Sequence, residues 1–265
     1  MASPRDETVV INYAKWLPIY ASEAPYQILS HLSGDYKKTN LEFGPAPVAE
    51  TIHDIRGREA EFTADSHGFQ VCRQETAVTD WTDKQTVETV YCSEMEQLLK
   101  RELDGVDEVV FYDWRWFVAK DLSPLGVVKR VQYHMRERAD ELLQGRVRAL
   151  NVWRPTIDYP VQDRPLALCD GTSVNADDLL PTDHIKKAYT GQTSNLMYRP
   201  GYRWHYLSHQ TKEECIIFKM FDSQEGVAKH CPHVAFHHSN VSDGTPPRES
   251  VEIRALVFTY PLQSA

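Results

Sequence analysis

Cys231-Pro232-His233-Val234-Ala235-Phe236-His237-His238-Ser239, then a Pro/Gly turn, then Pro247-Arg248-Glu249-Ser250-Val251-Glu252-Ile253-Arg254-Ala255-Leu256-Val257-Phe258-Thr259-Tyr260 close the chain. The second run alternates with period two, as a strand does. Val251, Ile253, Ala255 and Val257 make one apolar face, and Arg248, Ser250, Glu252 and Arg254 the other. Such a polar face is either a wet outer surface or the wall of a polar cavity, and the periodicity alone does not choose. The first run reads as the opposing strand of a pair, with Ala235 sharing the face of His233. A histidine on one strand and an arginine-rich face on the next could hold a metal and an anionic co-substrate.

The pattern extends upstream as short strands at regular spacing. Val9–Tyr13, His67–Val71, Val109–Tyr112, Arg148–Pro155, Leu166–Cys169, Tyr202–His209 and Cys215–Phe221 all read this way, the last with Lys219 inside it. Ile52–Gly57 followed by Glu61 and Phe62 reads as a hairpin. Two helices interrupt the series. Thr82–Leu103 is capped by Thr82 or Asp83 and places Val87, Val90, Tyr91, Met95, Leu98 and Leu99 on one face. Val127–Gln144 is ended by Gly145 and carries His134 toward its outside. The expected fold is mainly β with flanking helices, a barrel or sandwich with helices packed outside. One domain over 1–265 is expected, with a Pro-rich N-terminal arm over about 1–50 that a homodimer could use.

The 265 residues suffice for a sizeable core. A net charge of -9 argues against a general nucleic-acid binder. No apolar run approaches the roughly 20 residues that span a bilayer. The polar start, M-A-S-P-R-D-E-T, is not a secretory signal. The five cysteines are scattered, with no C-x-x-C pair. This predicts reduced thiols, a cytoplasmic protein and no zinc site.

Several blocks together resemble one family along nearly the whole chain. They are H-D-I-R-G (53–57), D-S-H-G-F-Q (65–70), N-V-W-R-P (151–155) with P-L-A-L-C-D (165–170), W-H-Y-L-S-H-Q-T-K-E-E (204–214), F-K-M-F-D-S (218–223), P-H-V-A-F (232–236) and R-E-S-V-E-I-R-A-L-V-F (248–258). The chain resembles the fungal hydroxylase/desaturase family that includes aspergillic-acid hydroxylase and gibberellin desaturase. The cephamycin methoxylase component is a more distant relative. The resemblance implies a double-stranded β-helix (jelly-roll), a role in fungal secondary metabolism, and iron(II)/2-oxoglutarate chemistry as the usual activity.

That chemistry uses two histidines and one carboxylate on one face of the iron. By the resemblance, Asp121 and His233 match two ligands, but Ala119 stands where the first histidine belongs. Arg248 and Ser250, or Arg254, match the arginine end of the 2-oxoglutarate site. Lys120 beside Asp121 would repel a cation. The missing ligand leads to the expectation of a metal-free enzyme with no cofactor. The expected reaction is a cyclisation or hetero-Diels–Alder-type cycloaddition of an enone or quinone methide with a polyene or terpene, as in the fungal tropolone-sesquiterpenoid Diels–Alderases of similar fold. Arg254 and Arg248 would donate to a substrate oxygen, and His233, Lys120 and Asp121 would serve as acids or bases. Trp204, Tyr202, Tyr206 and Trp153 would supply aromatic walls, with Asn151 and Ser250 as substrate contacts. The alternatives are an iron(II)/2-oxoglutarate hydroxylase or desaturase, with Asp121 and His233 on the metal, and a non-catalytic partner of an active homologue. The partners expected are small natural-product intermediates, with neither nucleic acid nor membrane.

Overall fold

The structure is a computed structural model and describes residues 5–28, 37–116, 124–186, 189–239, 241–242 and 244–261. Its strands in chain order are β1 (Glu7–Val9), β2 (Asn12–Ala14), β3 (Tyr26–Ile28), β4 (Phe43–Pro45), β5 (Glu50–Asp54), β6 (Phe69–Arg73), β7 (Glu108–Trp116) and β8 (Arg146–Pro155). There follow β9 (Leu166–Cys169), β10 (Leu179–Lys186), β11 (Tyr189–Leu196), β12 (Trp204–Tyr206), β13 (Glu214–Asp222), β14 (His233–Ala235) and β15 (Ser250–Thr259). Two five-stranded sheets face each other in a jelly-roll. The larger has the order β6-β13-β8-β15-β7 and the smaller β1-β5-β12-β9-β14.

Side-chain alternation sorts the larger sheet into two faces. Val251, Ile253, Ala255 and Val257 join Leu150, Val152, Cys215 and Ile217 under Val87, Tyr91, Met95, Leu98 and Leu99 of the helix over 84–102. The opposite face looks into the barrel, where Trp153, Ile216 and Phe218 meet Leu166 and Leu168 of the smaller sheet. Farther along, Val147, Ala149, Leu256 and Phe258 are covered by Val127 and Val131 of the helix Pro124–Met135. The polar face of β15 is thus an interior wall: Ser250, Glu252 and Arg254 are all buried. Among the described residues no helix is long and apolar enough to cross a membrane.

Four expectations are corrected. The two closing strands do not pair: β14 joins β9 in the smaller sheet, while β15 lies between β8 and β7 in the larger. His233 therefore faces the larger sheet across the barrel. The hairpin at Gly57 does not form. Gly57 makes a left-handed turn, and β5 pairs with β1 and β12 while the Arg56 guanidinium is held by Glu214 and the Ser208 carbonyl. The first helix is capped by Asp83 but contains a π turn at Val87–Tyr91, and Val90 is 37% exposed, off the apolar face. The second breaks at Arg136, whose φ of 48° is left-handed, and resumes at Ala139–Leu142. Gly145 ends it by closeness, not by a left-handed cap, because a Cβ there would sit 2.0 Å from the Thr259 carbonyl oxygen.

Close packing also places His233. Gly68 and Gly171 both press on the His230 carbonyl, and added Cβ atoms would lie 2.6 and 1.9 Å from its oxygen. The two glycines clamp the backbone three residues before His233. Gly171→Ala is expected to destabilise the protein by about 1–3 kcal/mol, the usual cost of overpacking. A denaturant midpoint unchanged from the wild type would show that the clamp is slack.

Candidate functional site

Across the inside of the larger sheet, Phe218, Asn151, Arg254 and Asp113 stand in register on β13, β8, β15 and β7. The next row is Ile216, Trp153, Glu252 and Arg115. From the smaller sheet the His233 ring packs on Phe218 at 4.4 Å between centroids. Its Nδ1 lies 3.2 Å from the Cys231 carbonyl oxygen. In the tautomer that donates Nδ1–H to that carbonyl, Nε2 carries the lone pair, and the contact fixes the ring plane. Neither following histidine joins it: the His237 side chain is 73% exposed, and His238 lies 3.4 Å from Glu7.

The two arginines of β15 and its approach differ. Arg254 is neutralised within the wall. Its Nε donates to Glu252 at 2.8 Å, and Asp113 is 3.9 Å from Nη1. Arg248 lies with its guanidinium 5.2 Å from the centre of the Trp153 ring. It donates to the Arg164 carbonyl, but its Nε is buried with no partner, and among the described residues it forms no ion pair with a carboxylate. Burial lowers its pKa, and Asp163 only partly offsets this. A partly desolvated guanidinium on an aromatic face, with no carboxylate in ion-pair contact among the described residues, is a seat for a carboxylate. Ser250, two residues on, is buried beside it in sequence, and Asn151 is fully buried with neither amide atom hydrogen-bonded.

The other sequence candidates are placed as follows. Trp153 is in the barrel beneath Arg248. Tyr202, Trp204 and Tyr206 belong to the cluster on the other side of the smaller sheet, under the N-terminal arm. Their polar atoms are engaged there: Trp204 donates to the Tyr13 hydroxyl, and Tyr202 to the Met197 carbonyl. Trp204 also reaches a cleft of about 190 Å³ that touches His233. Ala119, Lys120 and Asp121 lie outside the described residues. His134, expected outside, is half-buried against Tyr112, with its ring 5.8 Å away.

The sequence reading missed a cavity beside His233. A space of about 530 Å³ is walled by Leu179, Leu196, Met220, Phe221 and Pro232, and it shares Ser194, Leu196 and Pro232 with the cleft at His233. That volume suits a small organic ligand. At its edge Lys219, 0% exposed, reaches Asp222 at 2.5 Å and Asp65 at 2.6 Å, and Arg146 bonds the same two carboxylates. The one sequence signal was a lysine inside an apolar strand.

Burial pushes His205 and His230 down to about 4. His205 lies among Phe62, Phe69 and His53, and buried Nδ1 of His205 and Nε2 of His230 lack partners. Unfolding releases both to ordinary values, so the unfolded chain binds more protons between about pH 4 and 6.5. Their contribution is complete above that window and falls as pH drops through it, by at most about 1.4 kcal/mol per unit for each. Urea midpoints measured from pH 7 to pH 4.5 are expected to decline, and less steeply in His205→Phe. Parallel curves would remove His205 from this account.

The family model described as oxidoreductase/YMDC permease-like domain matches residues 11–258. The chain is 43% identical over 139 residues to aspirochlorine biosynthesis protein N of Aspergillus oryzae, a match covering 51% of this chain and 58% of that protein. It is 31% identical over 249 residues to the Fe(II)/2-oxoglutarate-dependent dioxygenase nvfI of Aspergillus novofumigatus, covering 83% of this chain and 87% of the relative. A solved structure of the iron and alpha-ketoglutarate-dependent endoperoxidase NvfI superposes with a TM-score of 0.86 at 27% identity, over 98% of this chain and all of that one. These relatives overturn the expectation of an enzyme without cofactor, because they point to iron and 2-oxoglutarate. They also back the oxygenase alternative over metal-free cycloaddition. With its jelly-roll and these matches, the chain belongs to the fungal hydroxylase/desaturase family of the iron/2-oxoglutarate oxygenase type.

Proposed function

We propose that this chain is a 2-oxoglutarate-dependent oxygenase acting on a small, largely apolar intermediate of fungal secondary metabolism. The observation that carries the reading is Arg248, whose guanidinium lies above Trp153 and, among the described residues, forms no ion pair. It would bind the distal carboxylate of 2-oxoglutarate, with Ser250 on the same approach. Trp153 shields the pair from water, which strengthens it. Arg254 serves as part of the wall, since Glu252 and Asp113 already neutralise it.

When bound, iron(II) supplies the oxygen-activating chemistry of the relatives. The fit to this chain is incomplete. His233 presents an oriented imidazole inside the barrel, Asp121 lies outside the described residues, and Ala119 offers no donor atom. The set is one ligand short of two histidines and a carboxylate. The described residues would bind the co-substrate through Arg248, orient His233 through the Cys231 carbonyl, and hold an apolar substrate against Leu196, Met220 and Pro232. Calorimetric titration of 2-oxoglutarate into anaerobic protein with iron(II) tests the reading. One saturable site is expected, and no binding with or without iron would reject it.

A further inference from the structure

The even-numbered side chains of β8 face the long helix. Leu150 and Val152 enter its apolar cluster, and Arg154 continues the same face while only 1% exposed. Its Nη2 donates to the Lys212 carbonyl. Its Nε and Nη1 are buried without a hydrogen-bond partner, and among the described residues no carboxylate makes an ion-pair contact with it, although Glu213 is near enough to feel its charge. The Tyr91 hydroxyl lies beside the guanidinium as a weak hydrogen-bonding neighbour, short of a bond of ordinary geometry. Arginine keeps its proton in proteins, so burial cannot be relieved by neutralisation. A buried cation without a counter-ion carries a large desolvation cost.

This guanidinium lines a cavity of about 340 Å³ outside the barrel interior. The Thr156 hydroxyl, also buried and unpartnered, lines it. The rest of the wall is apolar at Val78, Trp81 and Pro155 and acidic at Glu75, Asp158 and Glu213. Asp158 is occupied by Lys212. The donors call for an oxyanion, and the acidic residues disfavour a second negative charge. The apolar wall calls for a hydrophobic body.

We propose that this cavity is a second ligand site, separate from the barrel interior, for a small aromatic or apolar monocarboxylate. Its carboxylate sits on Arg154 and Thr156 and its body on Trp81 and Val78. Because the site is on the opposite face of the sheet from Asn151 and Arg254, it stands or falls independently of the 2-oxoglutarate reading. Benzoate is the probe, with benzamide as its neutral counterpart. Benzoate is expected to raise the melting temperature of the wild type saturably, and benzamide is not. Arg154→Met is expected to weaken benzoate about tenfold or more, the loss of a charged hydrogen bond. If Arg154→Met does not fold, Thr156→Val decides by a weaker loss of a few-fold, about one neutral hydrogen bond. No saturable effect of benzoate, an equal effect of benzamide, or full benzoate affinity in both cavity variants would overturn the site.

Discussion

Arg248→Met is expected to weaken 2-oxoglutarate binding by roughly thirtyfold to a few thousandfold, the range of about 2–5 kcal/mol for truncating one partner of a buried charge pair. The physical ground is the asymmetry between the two arginines. Arg254 has Glu252 at 2.8 Å, whereas the Arg248 Nε has no partner. In the free protein Arg248 is a half-buried cation with no ion pair among the described residues, so its loss should leave stability unchanged or raise it by up to about 1 kcal/mol. Binding falls while the fold is kept, and a merely structural arginine would give the reverse. Arg248→Lys should fall between, because an ammonium keeps the charge but not the planar fork. Titration calorimetry beside urea unfolding reads both quantities. Unchanged 2-oxoglutarate affinity with lost stability would make Arg248 a structural residue.

The second large effect is on stability. Asp222→Asn is expected to cost about 3–5 kcal/mol, as when one member of a buried ion network is removed. Asp222 is 1% exposed and accepts from Arg146 and from Lys219, which is itself fully buried. Desolvation opposes its ionisation, but those two cations outweigh it and hold its pKa down. Neutralising it leaves Lys219 and Arg146 with Asp65, whose side chain is 50% exposed. Domains are held by only about 5–15 kcal/mol, so the loss is a large share of the whole. The same sign appears with acid. The carboxylate's contribution is present above its ordinary pKa and is lost as pH falls through the lowered one, below the histidine window. Lys219→Met combined with Asp222→Leu should recover much of the loss, because a packed apolar pair removes both desolvation costs. A shift below about 1 kcal/mol in Asp222→Asn would mean that water already solvates the cluster.

The strands were legible because period two survives in β8, β13 and β15, where one face meets a helix and the other a barrel. The resemblance added the jelly-roll, and it pointed to Arg248 or Arg254 for the arginine end of a 2-oxoglutarate site. Strand partners were not legible. His233 and Arg254 are near in sequence but lie in opposite sheets, and chain order does not encode which sheet a strand of three residues joins. Tyr202, Trp204 and Tyr206 have the composition of a pocket wall, yet the N-terminal arm covers their side of the smaller sheet. The glycine clamp at His230 and the cavity beside Lys219 arise from contacts between segments far apart in sequence. Ala119 stands where the resemblance expects a histidine, yet the relatives matched along most of the chain are iron/2-oxoglutarate enzymes.

The most direct test is succinate formed per 2-oxoglutarate consumed by the purified wild-type chain, with added iron(II) and oxygen, with and without chelator. The account predicts turnover that needs iron, is stopped by chelator and is lost in Arg248→Met. Absence of succinate under all these conditions, in protein that also fails to bind 2-oxoglutarate, would contradict it.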